Sequence, residues 1–180
     1  MPRLFTGVTV PDDVGESLAN LRGGISGARW TDAESYHITL RFIGDIDGST
    51  ARELADALVD VRFPSFELQL KGINVFGGHN PHTLYAGIAE SAELKRLNGV
   101  HERLVQVLGL PPEHRKFSPH VTLARLREPD PLSLQRYLAS ENLFRSRPFQ
   151  VSHFVLFSSR PSRGGGPYAV EEAYELEGTL

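Results

Sequence analysis

The chain has 180 residues, of which 40% are hydrophobic and 23% charged, with a formal net charge of -3 and no cysteine, a composition that fits an ordinary globular protein and leaves seven histidines as the main source of chemistry. Without cysteine, disulfides, thiolate nucleophiles and cysteine-ligated zinc are excluded, and the small negative charge does not suit a protein that coats long nucleic acid. No apolar run approaches the roughly 20 residues that cross a bilayer, and Met1-Pro2-Arg3-Leu4-Phe5 lacks the layout of a signal peptide, so a cytoplasmic protein is expected, with no membrane partner.

Leu4 to Val10 alternates and ends at Pro11, which predicts a first strand. Asp12-Asp13 can cap a helix over residues 13–22, with Val14, Leu18 and Leu21 on one face and Gly23-Gly24 closing it. A second strand spans Tyr36 to Ile43 and stops at Gly44. Ser49 or Thr50 then caps a helix carrying Leu54, Ala55, Leu58 and Val59 on one face. Strands follow near Phe66 to Ile73 and Thr83 to Ile88, joined by a loop holding Phe76-Gly77-Gly78. Ser91 opens the longest helical pattern, through Leu94, Leu97, Val100, Leu104 and Val107-Leu108, which Gly109, Pro111 and Pro112 break. Beyond it come a strand from His120 to Leu126, a short helix from Leu132 to Ala139, a strand from Phe149 to Phe157 and a last strand near Tyr168 to Leu176. The loop Ser162-Arg163-Gly164-Gly165-Gly166-Pro167 is expected at the surface, as a hairpin connection rather than a flap.

The pattern on the two sides of the long helix is similar, so a weak structural repeat is expected. Antiparallel sheets with helices packed on the outside, in two related lobes of a single domain over residues 1–180, fit this order better than an alternating parallel fold.

Two tetrads stand at equivalent places in that repeat, His37-Ile38-Thr39-Leu40 and His120-Val121-Thr122-Leu123. Alternation in a strand sends each His and the Thr two places later to one face, and sends Ile38/Leu40 and Val121/Leu123 to the other. If the halves are related by a pseudo-twofold axis, both imidazoles meet across one cleft. Such a pair suits in-line displacement at phosphorus, one imidazole taking a proton from the attacking oxygen and the other giving one to the leaving oxygen. The threonine hydroxyls can hold the non-bridging oxygens, and Arg41 and Arg125 are the local cations for the phosphate. Ideal alternation puts Arg41 on the His37 face but Arg125 opposite His120, so Arg125 needs a bulge, a strand end or its long reach to take part.

These residues resemble the two-histidine (2H) phosphoesterase superfamily, in its RNA 2′,3′-cyclic phosphodiesterase or 2′-5′ RNA ligase branch. The likeness lies in Arg3-Leu4-Phe5-Thr6-Gly7-Val8, His37-Ile38-Thr39-Leu40-Arg41-Phe42-Ile43-Gly44 and Phe117-Ser118-Pro119-His120-Val121-Thr122-Leu123-Ala124-Arg125. It implies an α+β fold, bilobal, with two pseudo-twofold-related antiparallel β-sheet lobes, helices on the outside and a central cleft. It also implies catalysis by His37 and His120, phosphate binding by Thr39, Thr122 and Arg125, and neither metal nor cofactor. The implied substrates are RNA 3′ ends with a 2′,3′-cyclic phosphate, or cyclic mononucleotides, opened by water to a 2′-phosphomonoester. His120 would act as base and His37 as acid, and a 5′-hydroxyl in place of water would give a 2′-5′ linkage.

A nucleotide end needs an aromatic platform. Phe5 shares its strand face with Gly7, which would leave room for a ligand, and is the first candidate; Phe76 and Phe117 lie near or in the motifs, whereas alternation places Phe42 in the core with Ile38 and Leu40. Trp30 lines the same cleft or caps the first lobe. His79 and His82 sit in a loop without a third metal ligand, and His101, His114 and His153 recur in no motif. The competing readings are a phosphodiesterase for small cyclic nucleotides or 2′-5′ oligoadenylates, and a non-catalytic RNA- or nucleotide-binding module. A monomer is the default expectation.

Overall fold

The computed structural model describes residues 3–159 and 168–178, and the glycine-rich loop 162–167 lies outside them. The chain opens with β1 (Arg3–Thr9), α1 (Asp12–Ala19), a short β2 (Ala28–Trp30), β3 (His37–Asp45) and α2 (Gly48–Val59). It continues with β4 (Phe66–Leu68), β5 (Leu70–Phe76), β6 (Thr83–Ile88) and α3 (Ala92–Val107). The last elements are β7 (His120–Leu126), α4 (Pro131–Glu141), β8 (Phe149–Val151), β9 (His153–Ser159) and β10 (Ala169–Glu175).

Ser91 caps α3, accepting from the Leu94 N–H at 3.1 Å, and Asp130 caps α4, whose first residue is Pro131. For α2 the cap is Asp47 rather than Ser49 or Thr50, its carboxylate accepting from Thr50 N at 2.7 Å. α1 follows Pro11, which has no side chain to cap with, and Asp12 and Asp13 stand in its first turn. The helix stops at Ala19, short of the glycines expected to end it.

Among the described residues the main sheet is antiparallel, in the order β10-β9-β1-β3-β7-β6-β5, with β2 alongside β7. Exchanging β1 with β6, β3 with β7 and β9 with β5 reverses the run β9-β1-β3-β7-β6-β5 onto itself. The repeat is therefore β1-α1-β3-α2-β4-β5 followed by β6-α3-β7-α4-β8-β9, and β6 belongs to the second half rather than the first. Both halves break their last strand in the same place. β4 and β8, expected as parts of longer strands, leave the sheet and pair with each other through Phe66↔Val151 and Leu68↔Phe149.

The halves exchange elements. β9 and β10, late in sequence, extend β1 and β3, while β5 and β6 extend β7. α3 packs beneath β3, and α1 is tied to the α4 side by Tyr137 Oη donating to the Leu21 carbonyl and by Arg147 on Asp13. The two lobes do not form separate sheets. They join where β3 meets β7, with Ile38 opposite Val121, each fully buried. The tetrads thus stand on the two central strands. No helix among the described residues is long and apolar enough to cross a membrane.

Candidate active site

A cleft of about 650 Å³ lies over the seam, lined among others by His37, Thr39, His120, Thr122 and Arg125. As alternation requires, Ile38, Leu40, Val121 and Leu123 are buried on the opposite side. Each histidine is held in the same way: His37 Nδ1 donates to the Ser35 carbonyl at 2.8 Å, and His120 Nδ1 donates to the Ser118 carbonyl at 2.7 Å. A carbonyl can only accept, so both neutral rings carry their proton on Nδ1 and leave Nε2 to exchange protons.

Past the tetrads, both strands bulge. On β3 the register with β1 passes from Thr39↔Gly7 to Arg41↔Thr6, and on β7 the register with β6 passes from Thr122↔Tyr85 to Ala124↔Leu84. Leu40 and Leu123 are the extra residues, and each bulge reverses the alternation beyond it. Arg125 is thereby brought to the His120 face without any exceptional reach. It lines the cleft, its Nη1 donating to Thr83 Oγ1 at 2.9 Å. Thr83 is itself buried and lies 2.8 Å from His82 Nδ1.

The same bulge removes Arg41 from the site, contrary to the strict alternation that put it beside His37. Arg41 is 7% exposed, on the α3 side of the sheet. It pairs with Glu102 and donates to the carbonyls of Phe42 and of Pro111, the last at 2.7 Å. Burial pushes the Glu102 carboxyl up, but hydrogen bonds from Arg41, the Glu113 N–H and Gln106 outweigh it and hold Glu102 at about 2. Phe42, assigned to the core by alternation, is instead 43% exposed and lines the cleft.

The expected aromatic residues divide. Phe5 lines the cleft but is 4% exposed, stacked on Phe157 at 4.9 Å and lying 5.0 Å from the His37 ring. The room expected beside Gly7 is already filled: a Cβ there would lie 2.8 Å from the Ile38 carbonyl and 3.2 Å from Phe157. Phe76 stacks on Tyr85 at 4.1 Å and presents its ring to His120 at 4.8 Å. Phe117 packs against the core and does not line the cleft. Trp30 lines the cleft while leaning on Tyr137 at 5.8 Å. Sequence reasoning missed Phe157, Tyr168 and Tyr85. Tyr168 stands edge-on to His37 at 4.9 Å, and Phe157 and Phe76 are equivalent in the repeat, each beside its own histidine. Phe157 and Tyr85 lie in largely apolar strands with no mark to separate them from core aromatics, and Tyr168 stands just before β10.

Arg3 and Arg29 also line the cleft, Asp32 being the acid among its described lining residues, and Arg3 is paired with Asp45 at 3.5 Å. Burial is the main cause that lowers His37 below the ordinary imidazole value; the Ser35 carbonyl opposes it, and the positive charges of His120 and Arg125 add to it. His120 is lowered in the same way, by burial and then Arg125 against the Ser118 carbonyl. Two neutral imidazoles, two hydroxyls and a guanidinium around one cationic cleft can hold an anion and pass protons on both of its sides.

A sequence model of LigT-like phosphoesterases matches residues 8–85 and 87–168, so each match holds one tetrad. The chain belongs to the LigT-like phosphoesterase family. Within that family it is similar to the RNA 2′,3′-cyclic phosphodiesterase of Archaeoglobus fulgidus, 29% identical over 88% of this chain and 94% of the relative. The corresponding enzyme of Aeropyrum pernix is 36% identical over 61% of this chain and 66% of its own. That of Thermotoga maritima is 29% identical over 99% and 97%. The fold is that of Escherichia coli LigT crystallised with 3′-AMP, with a TM-score of 0.79, 22% identity and coverage of 98% of this chain and 99% of that one. The two matched segments follow the repeat seen in the sheet to within half a strand: the boundary between them falls inside β6, whereas the structural repeat starts anew with β6.

Proposed function

We propose that this LigT-like phosphoesterase opens the 2′,3′-cyclic phosphate at an RNA 3′ end with water, leaving a 2′-phosphomonoester. The observation that carries this reading is the pair of His-Thr units at the seam, with a bulge that turns Arg125 onto the same face. The curated relatives bearing the name RNA 2′,3′-cyclic phosphodiesterase support the same substrate.

His120 Nε2 takes a proton from water as its oxygen attacks phosphorus. The bond from phosphorus to the 3′ oxygen breaks, and His37, protonated, gives that oxygen its proton. Thr39, Thr122 and Arg125 hold the non-bridging oxygens as their charge grows. The reaction leaves the proton on the other histidine, and exchange with solvent restores the pair. With a proton donor on one side and an acceptor on the other, the residues named suffice for the step without a metal ion. A 5′-hydroxyl held in place of water would run the same chemistry to a 2′-5′ linkage. Water at about 55 M dominates unless that second end is bound.

The test is hydrolysis of 2′,3′-cyclic AMP and of a cyclic-ended oligonucleotide in excess EDTA, with identification of the product isomer. A 2′-phosphate is expected, and each of His37→Ala and His120→Ala is expected to lose about a hundredfold or more. A 3′-phosphate, loss of activity in EDTA, or full activity in either variant would overturn the reading.

A further inference from the structure

Arg125 leans on Thr83, and Thr83 has a further contact. Its Oγ1 accepts from Arg125 Nη1 at 2.9 Å and lies 2.8 Å from Nδ1 of His82. A hydroxyl has one proton and two acceptor sites. A guanidinium only donates, so the proton of this buried hydroxyl needs an acceptor elsewhere, and a buried hydroxyl without one is costly. Among the described residues that acceptor is His82 Nδ1. The neutral His82 ring therefore carries its proton on Nε2, the reverse of His37 and His120.

An exposed histidine beside a threonine is commonplace, but this one is fixed by its surroundings. Its N–H donates to the Phe76 carbonyl at 3.0 Å and its carbonyl accepts from Leu126 N at 2.9 Å, which ties the residue to β5 and β7. Its ring lies against Gly77, where a Cβ would stand 2.8 Å from His82 Cδ2 and where φ is +112°, a conformation that side chains avoid. The turn between β5 and β6 thus leaves a place for the imidazole. The arrangement serves one half of the site alone, because opposite Phe42, the counterpart of Arg125 on β3, stands Phe5 rather than a hydroxyl.

We propose that His82 is a positioning residue for the phosphate-binding arginine. By accepting the Thr83 proton, Nδ1 turns the lone pairs of the oxygen toward Arg125 and makes it a stronger acceptor, since hydrogen bonds in a chain polarise one another. The guanidinium is then held in direction before substrate arrives, as a group that meets charge growing on the phosphate oxygens must be. The inference rests on the reading that Arg125 holds the phosphate. The imidazole moves no proton in the reaction, so its effect passes through Thr83.

The test is a cycle of His82→Leu, Thr83→Val and the double variant, read in kcat for 2′,3′-cyclic AMP. His82→Leu is expected to lower kcat about threefold, the scale of one hydrogen bond between neutral groups, and to cost nothing further on top of Thr83→Val. His82→Asn, whose Oδ1 takes the place of Nδ1, should recover most of the loss. Unchanged kcat in His82→Leu, the same loss in both backgrounds, or an asparagine variant as impaired as the leucine one would overturn the proposal. Nitrogen NMR of the wild type at about pH 8.5, where an ordinary imidazole is neutral, should show the His82 proton on Nε2. A proton on Nδ1 overturns the proposal even where the variants do not fold. If the wild type does not hydrolyse the cyclic nucleotide, the proposed activity has failed on its own, and the same cycle is read in the Kd of inorganic phosphate. His82→Leu must then weaken binding with Thr83 present and not with Thr83→Val, and equal effects would overturn the inference.

Discussion

Arg125 is aimed by one hydroxyl, and removing that hydroxyl without changing its shape isolates the effect. Thr83 is 2% exposed, and its Oγ1 accepts from Arg125 Nη1 at 2.9 Å while bridging to His82 Nδ1 at 2.8 Å. Thr83→Val keeps the branched shape and deletes both contacts. A hydrogen bond to a charged group is worth about 1.5–3 kcal/mol net. Arg125 lies on the exposed side of β7, where water can replace its partner, so the cost to folding is expected at or below the lower end, about 1 kcal/mol. The cost to turnover is separate. Loss of a whole oxyanion donor lowers kcat by about 10²–10³, but here the guanidinium remains and only its anchor is gone. About a tenfold loss in kcat is expected, equal to about 1.4 kcal/mol of barrier. Thr83→Ser restores the oxygen and should recover most of it. The assay is steady-state hydrolysis of 2′,3′-cyclic AMP beside a thermal melt of each variant. Wild-type kcat in Thr83→Val, or a serine variant as impaired as the valine one, would show that Arg125 does not depend on this hydroxyl.

In the proposed mechanism the histidine pair must hold one proton between its two members to act. Burial and the cationic surroundings lower both below the ordinary value, so the profile of kcat/KM against pH should be a bell centred below about 6.5, falling as pH rises and the last proton leaves. Arg125→Gln removes one repelling charge and should move the alkaline limb to higher pH, whereas a limb that stays in place would exclude that charge as a cause. His101 offers a prediction on stability. It is fully buried on α3, its Nδ1 is 2.8 Å from Thr6 Oγ1, its Nε2 has no partner among the described residues, and burial takes it down to about 3. The unfolded chain protonates this ring below about 6.5 and the folded chain does not until about 3. Its contribution is therefore complete above about 6.5 and is lost as pH falls toward 3, by at most about 1.4 kcal/mol per pH unit. The double variant Thr6→Val/His101→Leu, which removes both polar partners together, should show a smaller drop in its urea midpoint between about pH 7 and pH 5 than the wild type. An equal drop would assign the acid sensitivity to other groups.

Alternation alone determined that His37 and Thr39, and His120 and Thr122, share a face, because residues two apart in a strand point the same way whatever the strand pairs with. It also determined that Ile38 and Val121 are core, and the repetition of the tetrad determined that the two strands are equivalent. The residues beyond each tetrad were not fixed in this way. The extra residue at Leu123 is legible in retrospect, since Val121, Leu123, Ala124 and Leu126 are apolar and the alternation skips between Leu123 and Ala124. On β3 the same break is hidden, because the residue turned inward is Arg41, a charge that the local pattern sends to solvent. Glu102 and the Pro111 carbonyl, brought from α3 and the segment after it, join the Phe42 carbonyl in making that burial tolerable. Tertiary structure alone decided which residues face the cleft beyond the threonines. The bulges at Leu40 and Leu123 arise from the pairing of β3 with β1 and of β7 with β6. Such pairing is made between segments distant in sequence, and shifting it by one residue exchanges the two faces of a strand. By that exchange Arg125 and Phe42 enter the site and Arg41 leaves it.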